Sequence, residues 1–437
     1  MFTLQSRHRL DIRLRHFAYA LVAGVWAREP ERLSTRLETG WSRAGKGLAC
    51  RSVRSGFHLL LDSLALPAGT EVLVSAVTHP DMVRILEAHG LVAVPVDLDI
   101  ATLAPRLDLA ERLVTPRTAA MLVAHLFGGR VDMNPLADFA KRHRLLLWED
   151  CAQAFTGPRD AREARVGPSD AREARVEPPD TGDARAEVSM YSFGALKTCT
   201  ALGGALLKVK DPHLLARMRA AQEGWRPQAR RAYAGSVLKF LVFTLVTRPV
   251  PYGVLARVCH VLGRDFDRLV NSSVRAFHSG PLLPQLEVRP CAPLLATLEY
   301  RLRTFDRERL RRRAAAGEWL GANLPEHIKP VGRRMERRTH WLFPVISRDP
   351  ERLILACRAA GVDGARAASS VTVVHAPPGR PEAEPAAARQ MMSGLVFLPA
   401  YPELPRRSLA RLVAAARGGT PELRTQPETR PSRAMQS

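Results

Sequence analysis

The sequence predicts an α/β protein built on a mostly parallel central sheet flanked by helices. Short, continuous apolar runs alternate with helical stretches from Arg54 to Asp150. Runs of that kind suit strands buried on both faces, and strict strand–helix alternation builds parallel sheets. The chain is also large enough, with 437 residues and 46% apolar content, to bury a sizeable core in one large and one smaller unit.

The elements follow in order. Residues 1–45 are basic with interspersed apolar and aromatic residues, and predict one or two helices capping the main domain. An interfacial amphipathic helix is the alternative there. Residues 57–64 read as a helix, 67–69 (Pro-Ala-Gly) as a turn and 71–74 as a strand. Residues 81–89 predict a helix stopped by Gly90, followed by a buried strand at 91–96. Residues 119–125 form a strand, 134–142 a helix and 145–148 a strand.

Residues 158–187 break this pattern with a ten-residue tandem duplication, Asp-Ala-Arg-Glu-Ala-Arg-Val starting at Asp160 and again at Asp170. Rich in charge and proline, the repeat predicts a solvated, disordered insertion. Strands at 188–193 and 205–209 flank a polar turn, 211–285 is mostly helical, and 294–320 reads as one long Arg-rich helix. A second α/β unit has a strand at 341–346, a helix at 350–360 stopped by Gly361, a strand at 395–398 and a closing helix at 407–417. The domains expected are 1–45, a large domain 46–290, a small C-terminal domain 291–417 and a disordered tail 418–437.

The net charge is +22, yet only seven of the 65 basic residues are lysines. Arginine is spread along the whole chain, which suits snorkelling side chains on helix faces better than a basic arm for nucleic acid. The six cysteines show no CxxC pairing, so neither a zinc site nor a disulfide scaffold is expected, and a reducing, cytoplasmic setting follows. No apolar stretch reaches the roughly 18 residues of a spanning helix. Residues 237–246 come nearest, interrupted by Lys239 and ended by Arg248-Pro249.

Two residues carry chemistry. Asp150 ends the strand that contains Trp148, and Lys197 sits in a polar turn, Ser192-Phe193-Gly194-Ala195-Leu196-Lys197, ahead of Gly203-Gly204. A carboxylate at a strand end with a lysine in a nearby turn is what pyridoxal phosphate requires: the lysine binds its aldehyde and the carboxylate keeps its pyridine nitrogen protonated. Asp150 would lie where open α/β sheets place their ligands.

At these residues the chain resembles the DegT/StrS-type aminotransferases. The resemblance rests on Glu149-Asp150-Cys151-Ala152-Gln153-Ala154, on Ser192-Phe193 with Lys197 and Gly203-Gly204, and on residues 67–74, 123–128 and 397–399. It implies a fold type I pyridoxal-phosphate transferase, with the large domain as the cofactor-binding one. It implies that Gln153 contacts the cofactor's 3-hydroxyl oxygen and Ser192 its phosphate. His79 occupies the position whose ring stacks on the pyridine. Ser55, at the start of a helix, and Arg54 would complete the phosphate site, although Val53-Arg54 replaces the commoner Gly-Thr. His125 reads as a satisfied core histidine, and Cys151 and Cys199 as apolar packing. No metal is expected.

One stretch departs from the family pattern. Where an asparagine and an arginine reach into the partner subunit's site, this chain has Glu287 and Arg289. The resemblance implies a homodimer that transfers an amino group from an amino acid, glutamate being a candidate, to a nucleotide-linked keto-sugar. Cell-surface polysaccharide or secondary-metabolite sugar biosynthesis is the setting it implies. Lys197 favours transamination over the related dehydratases. The alternative is a catalytically altered protein on the same fold, binding at a membrane surface.

Overall fold

The computed structural model describes residues 3–42, 45–158, 182–273, 281–366 and 371–418. Its main sheet has seven strands: β1 (Gly47–Cys50), β2 (Glu71–Ser75), β3 (Val92–Val96), β4 (Thr118–Ala124), β5 (Leu146–Asp150), β6 (Val188–Ser192) and β7 (Ala205–Val209). Their spatial order is β1-β7-β6-β5-β4-β2-β3. The strands from β6 to β3 are parallel, whereas β7 runs antiparallel to β6 and β1 antiparallel to β7.

The apolar runs are continuous because both faces of this sheet are covered. Leu73, Met121, Val123 and Leu147 enter one core, with Leu136 and Phe139 of helix Met133–Arg142. Their neighbours Val72, Val74, Leu122 and Trp148 enter another, with Phe57 and Leu60 of helix Val53–Leu64 and Met218 of helix Pro212–Glu223. Successive strand residues point to opposite faces, so each face needs its own apolar set.

In chain order the helices are α1 (Leu14–Trp26), α2 (Pro30–Trp41), α3 (Val53–Leu64), α4 (Pro80–Ala88), α5 (Leu107–Leu113), α6 (Met133–Arg142), α7 (Pro212–Glu223), α8 (Arg230–Val246), α9 (Pro249–Val261), α10 (Phe266–Ser273), α11 (Leu282–Leu286), α12 (Ala292–Arg303), α13 (Arg307–Asn323), α14 (Pro350–Ala359), α15 (Ala386–Ser393) and α16 (Arg406–Ala416). α1 and α2 share a core with α8 and α12, in which Phe17, Trp41 and Phe193 are buried. A second, antiparallel sheet joins β8 (Lys329–Pro330), β9 (Phe343–Ile346), β10 (Ala365–Arg366) and β11 (Leu395–Leu398) in the order β8-β9-β11-β10. Leu320, Ile354 and Leu412 bring α13, α14 and α16 into a core with Val345 and Val396 of this sheet.

Several expected boundaries move. The single helix expected over 294–320 is two, α12 and α13. The break has a local cause: Asp306 caps α13 by accepting the Arg309 N–H at 2.9 Å, and Phe305 turns to meet the Phe155 ring at 5.5 Å. The strand expected from 341 begins at Phe343, because the Trp341 indole N–H is drawn to the Leu196 carbonyl, 2.7 Å away. β1 has no signal of its own in the sequence; it exists because β7 offers an edge to pair with. Gly90 and Gly361 do end their helices, at φ +72° and +78°. The charged repeat lies largely outside the described residues, and so does the tail beyond 418.

Candidate active site

Parallel strands bring their C-terminal ends to one edge of the sheet. Asp150 ends β5, Ser192 ends β6, and Ser75 ends β2 shortly before His79. Asp150 stands opposite Ala124 of β4 and Met190 of β6, in the middle of the parallel array.

The turn that carries Lys197 is fixed mostly through the Phe193 backbone. The Phe193 carbonyl accepts from the N–H groups of Ala201 and Gly203 and from the Thr200 hydroxyl, and its N–H donates to the Gly204 carbonyl at 2.9 Å. Cys199 and Leu202 are held at φ +58° and +64°, and Gly204 at +91°, a concentration of left-handed backbone that surrounding contacts must sustain.

Those contacts come from far away in sequence. Asp11 accepts the Cys199 N–H at 2.7 Å. Arg301 donates to the Thr200 carbonyl at 2.9 Å, and Arg313 to the Thr198 hydroxyl at 3.0 Å and to the Thr339 carbonyl at 2.8 Å. Burial would raise the Asp11 pKa, but Arg309, Arg301 and the Cys199 N–H outweigh it and hold the carboxyl below its usual value. Nothing in the sequence motifs points to Asp11, Arg301, Arg313 or Trp341.

The Lys197 Nζ lies 4.3 Å from the centroid of the Trp341 ring and donates no hydrogen bond within the described residues. Burial lowers its pKa to about 8, with Asp150 opposing the shift and Arg54 adding to it. Burial raises the Asp150 pKa, against the Ala152 N–H, Lys197 and His125. The Asp150 Oδ1 accepts that Ala152 N–H at 2.9 Å, while Oδ2 accepts no hydrogen bond within the described residues.

The other expected residues surround these two. His79 caps α4, its Nδ1 accepting the Asp81 N–H at 3.2 Å. Burial, Arg54 and Lys197 take its pKa down to about 4 against Asp81, so the ring is neutral at physiological pH. Arg54 donates to Asp81 at 2.7 Å, so part of its guanidinium is committed within the protein. Ser55 is fully buried in the first turn of α3, its N–H capped by Ser52 at 3.1 Å. Gln153 accepts the Phe127 N–H at 2.8 Å, which assigns its oxygen and leaves its amide nitrogen without an acceptor among the described residues. The Ser192 hydroxyl has a long contact, 3.4 Å, from the Gly194 N–H.

The residues present fit pyridoxal phosphate. Among the described residues, an amine without a hydrogen-bond acceptor, a carboxylate with one open oxygen and an amide nitrogen with no acceptor gather at one sheet edge. Lys197, Asp150 and Gln153 would hold the ring end. Ser192, Ser55 and the start of α3 would hold the phosphate.

His125 behaves as a core histidine. Its Nδ1 accepts the Val131 N–H at 3.1 Å, so Nε2 carries the proton and donates to Glu149 at 2.9 Å. Glu149 also accepts from Arg130, Ser189 and the Asp183 N–H. Glu149, His125 and Cys151 come within 4.8 Å of one another, but both imidazole nitrogens are already committed.

Glu287 and Arg289 bond to groups outside this cluster. Glu287 contacts His58 at 3.4 Å, and His58 stacks on Trp225 and bonds His89. Arg289 donates to the Trp225 carbonyl at 3.1 Å.

Residues 35–241 match the sequence profile of the DegT/DnrJ/EryC1/StrS aminotransferase family. The chain is 28% identical over 228 residues to GDP-perosamine synthase from Caulobacter vibrioides, covering 51% of this chain and 56% of that protein. It is 40% identical over 94 residues to L-glutamine:2-deoxy-scyllo-inosose aminotransferase from Micromonospora echinospora, covering 22% of each. These matches span about half the length of the first relative and less of the second. The fold carries further than the sequence: the crystal structure of the sugar aminotransferase CalS13 from Micromonospora echinospora superposes with a TM-score of 0.65 at 20% identity, over 95% of this chain and 100% of that one. Residues 35–241, just under half of the chain, thus carry the profile of the DegT/DnrJ/EryC1/StrS aminotransferase family, and the chain has the fold type I architecture of the solved sugar aminotransferases.

Proposed function

We propose that this protein is a pyridoxal-phosphate-dependent aminotransferase that moves an amino group from an amino acid to a nucleotide-linked keto-sugar. The observation that carries the proposal is the pair of open polar groups at one sheet edge, the Lys197 amine and the Asp150 Oδ2. When bound, the cofactor supplies a carbonyl that exchanges with amino groups and a ring that delocalises electrons from the donor's α carbon.

The chain's own residues do the rest. With a pKa of about 8, Lys197 can both take and give a proton near neutral pH, as a general acid–base must. Asp150 would hold a proton at the pyridine nitrogen, and the Gln153 amide would donate to the ring oxygen. Neutral His79 would offer its ring face rather than a charge. The Trp341 ring lies against the Lys197 amine, its centroid 4.3 Å from Nζ.

The family profile over residues 35–241 and the likeness to GDP-perosamine synthase support the substrate class. The relative named for L-glutamine makes glutamine a donor to test beside glutamate. A homodimer, with Arg289 and Glu287 near the partner's site, belongs to the same proposal. So does a cytoplasmic setting, in keeping with six buried cysteines that show no CxxC spacing.

The test is the visible spectrum of the purified protein with added pyridoxal phosphate, wild type against Lys197→Ala. The expected result is an absorbance band that borohydride fixes covalently to Lys197 in the wild type and that the variant lacks. No band in either protein would overturn the proposal.

A further inference from the structure

We propose that the elbow formed by α8 and α9 docks on an anionic phospholipid bilayer. The helices meet at 88° across Thr247-Arg248. Each is pinned on its inner side. Tyr233 of α8 is buried and donates to the Ala201 carbonyl at 3.0 Å, while Tyr252 of α9 donates to the buried Asp363 carboxylate at 2.6 Å.

Their outer sides are apolar and open. Leu238, Val242 and Leu245 follow one another at i, i+4 and i+7 on α8, and Val250, Val254, Val258 and Val261 recur at three- and four-residue spacing on α9. Val242 is 58% exposed and Val261 75%, on helices whose opposite faces are buried. Arg230 donates to the Gly24 and Val25 carbonyls and so joins the start of α8 to the end of α1, where Val25 and Trp26 are also exposed. A tryptophan there suits the lipid–water boundary.

Charge selects the occupant. Residues 224–264 contain seven arginines and lysines and not one aspartate or glutamate. A second copy of the chain seated on this face would oppose cation to cation around the apolar stripe. An anionic bilayer supplies both complements at once, acyl chains for the valines and leucines and phosphates for Lys239 and Arg248. No single helix among the described residues is long and apolar enough to cross a membrane, and the pair that would be long enough together is bent by 88°. The elbow would lie in the plane of the interface.

The experiment is flotation of the full-length protein with vesicles of phosphatidylcholine alone and of phosphatidylcholine mixed with phosphatidylglycerol. Three variants accompany the wild type: Leu238→Glu with Val242→Glu, Val254→Glu with Val258→Glu, and Lys239→Glu with Arg248→Glu. All six positions are exposed, and far-UV circular dichroism verifies folding. The wild type should float with the phosphatidylglycerol vesicles, and less so in high salt. Each variant should partition roughly tenfold or more weakly. Absence of flotation for the wild type, or equal flotation of folded variants, would overturn the proposal. So would sedimentation equilibrium in which the glutamate variants lose a self-association that the wild type shows, since the face would then cover a second copy.

Discussion

Replacing Lys197 by methionine should stabilise the cofactor-free protein. Burial takes the Lys197 ammonium from its ordinary pKa of 10.5 to about 8. At roughly 1.4 kcal/mol per pKa unit, holding that charge in the fold at neutral pH costs on the order of 3 kcal/mol. One contact opposes the gain from removing it: the Trp341 ring, 4.3 Å from Nζ, contributes about 0.5–2 kcal/mol. The attraction to Asp150 is already contained in the pKa of about 8, since it acts against the shift. The burial cost wins by about 1–2 kcal/mol, because methionine fills similar space with no charge to desolvate. In a chain of this size that is an increase of about 1–2 °C in melting temperature.

The pH dependence has a definite sign. Below about pH 8 the lysine is protonated in both folded and unfolded chains, so the cost is present in full. Between about 8 and 10.5 the unfolded chain holds the proton that the folded one has shed, so wild-type stability rises relative to the variant and the gap closes. Thermal unfolding of both cofactor-free proteins, followed by far-UV circular dichroism at several pH values across that window, measures it. A variant that melts at or below the wild type at neutral pH, or a gap that does not shrink as pH rises, would refute the reasoning.

Two further outcomes follow from buried polar groups. Glu149→Gln puts an amide where four donors converge and should cost about 3–5 kcal/mol in urea unfolding. Burial opposes the low Glu149 pKa of about 2, but His125, Arg130 and Ser189 prevail, so its contribution is present above 4.5 and lost as pH falls toward 2, a loss the variant should lack. Arg313→Met removes donors to the Thr198 hydroxyl and the Thr339 carbonyl, and should cost about 1–3 kcal/mol. The same change loosens the Lys197 turn, so kcat should fall roughly tenfold or more while the bound-cofactor band persists; an unchanged kcat in the folded variant would dissociate the clamp from catalysis.

Six of the seven strands of the main sheet were legible as short apolar-rich runs ended by turn residues; β1 was not, because only the edge of β7 makes it a strand. Asp150, Lys197 and Gln153 were legible because they lie in two short motifs. The split of the 294–320 segment was not: Ala292 to Arg303 and Arg307 to Asn323 are both good helix formers, and only the Asp306 cap and the Phe305–Phe155 contact separate them. The positions of Glu287 and Arg289 could not be read from sequence either, since their partners His58 and Trp225 are far away along the chain.

Sequence by itself determined the parallel core, the lysine turn and the strand-end carboxylate, since local periodicity and residue chemistry specify each of them. It also determined that 224–264 is apolar and free of acids. Only the tertiary structure decided what holds the turn in place. Asp11, Arg301, Arg313 and Trp341 reach it across more than a hundred residues of chain, and a single side chain carries no local record of the distant carbonyl or hydroxyl that will satisfy it. Tertiary packing likewise decided which side of each apolar helix stays in solvent: Tyr233 and Tyr252 find buried partners, and Val242 and Val261 are left outside.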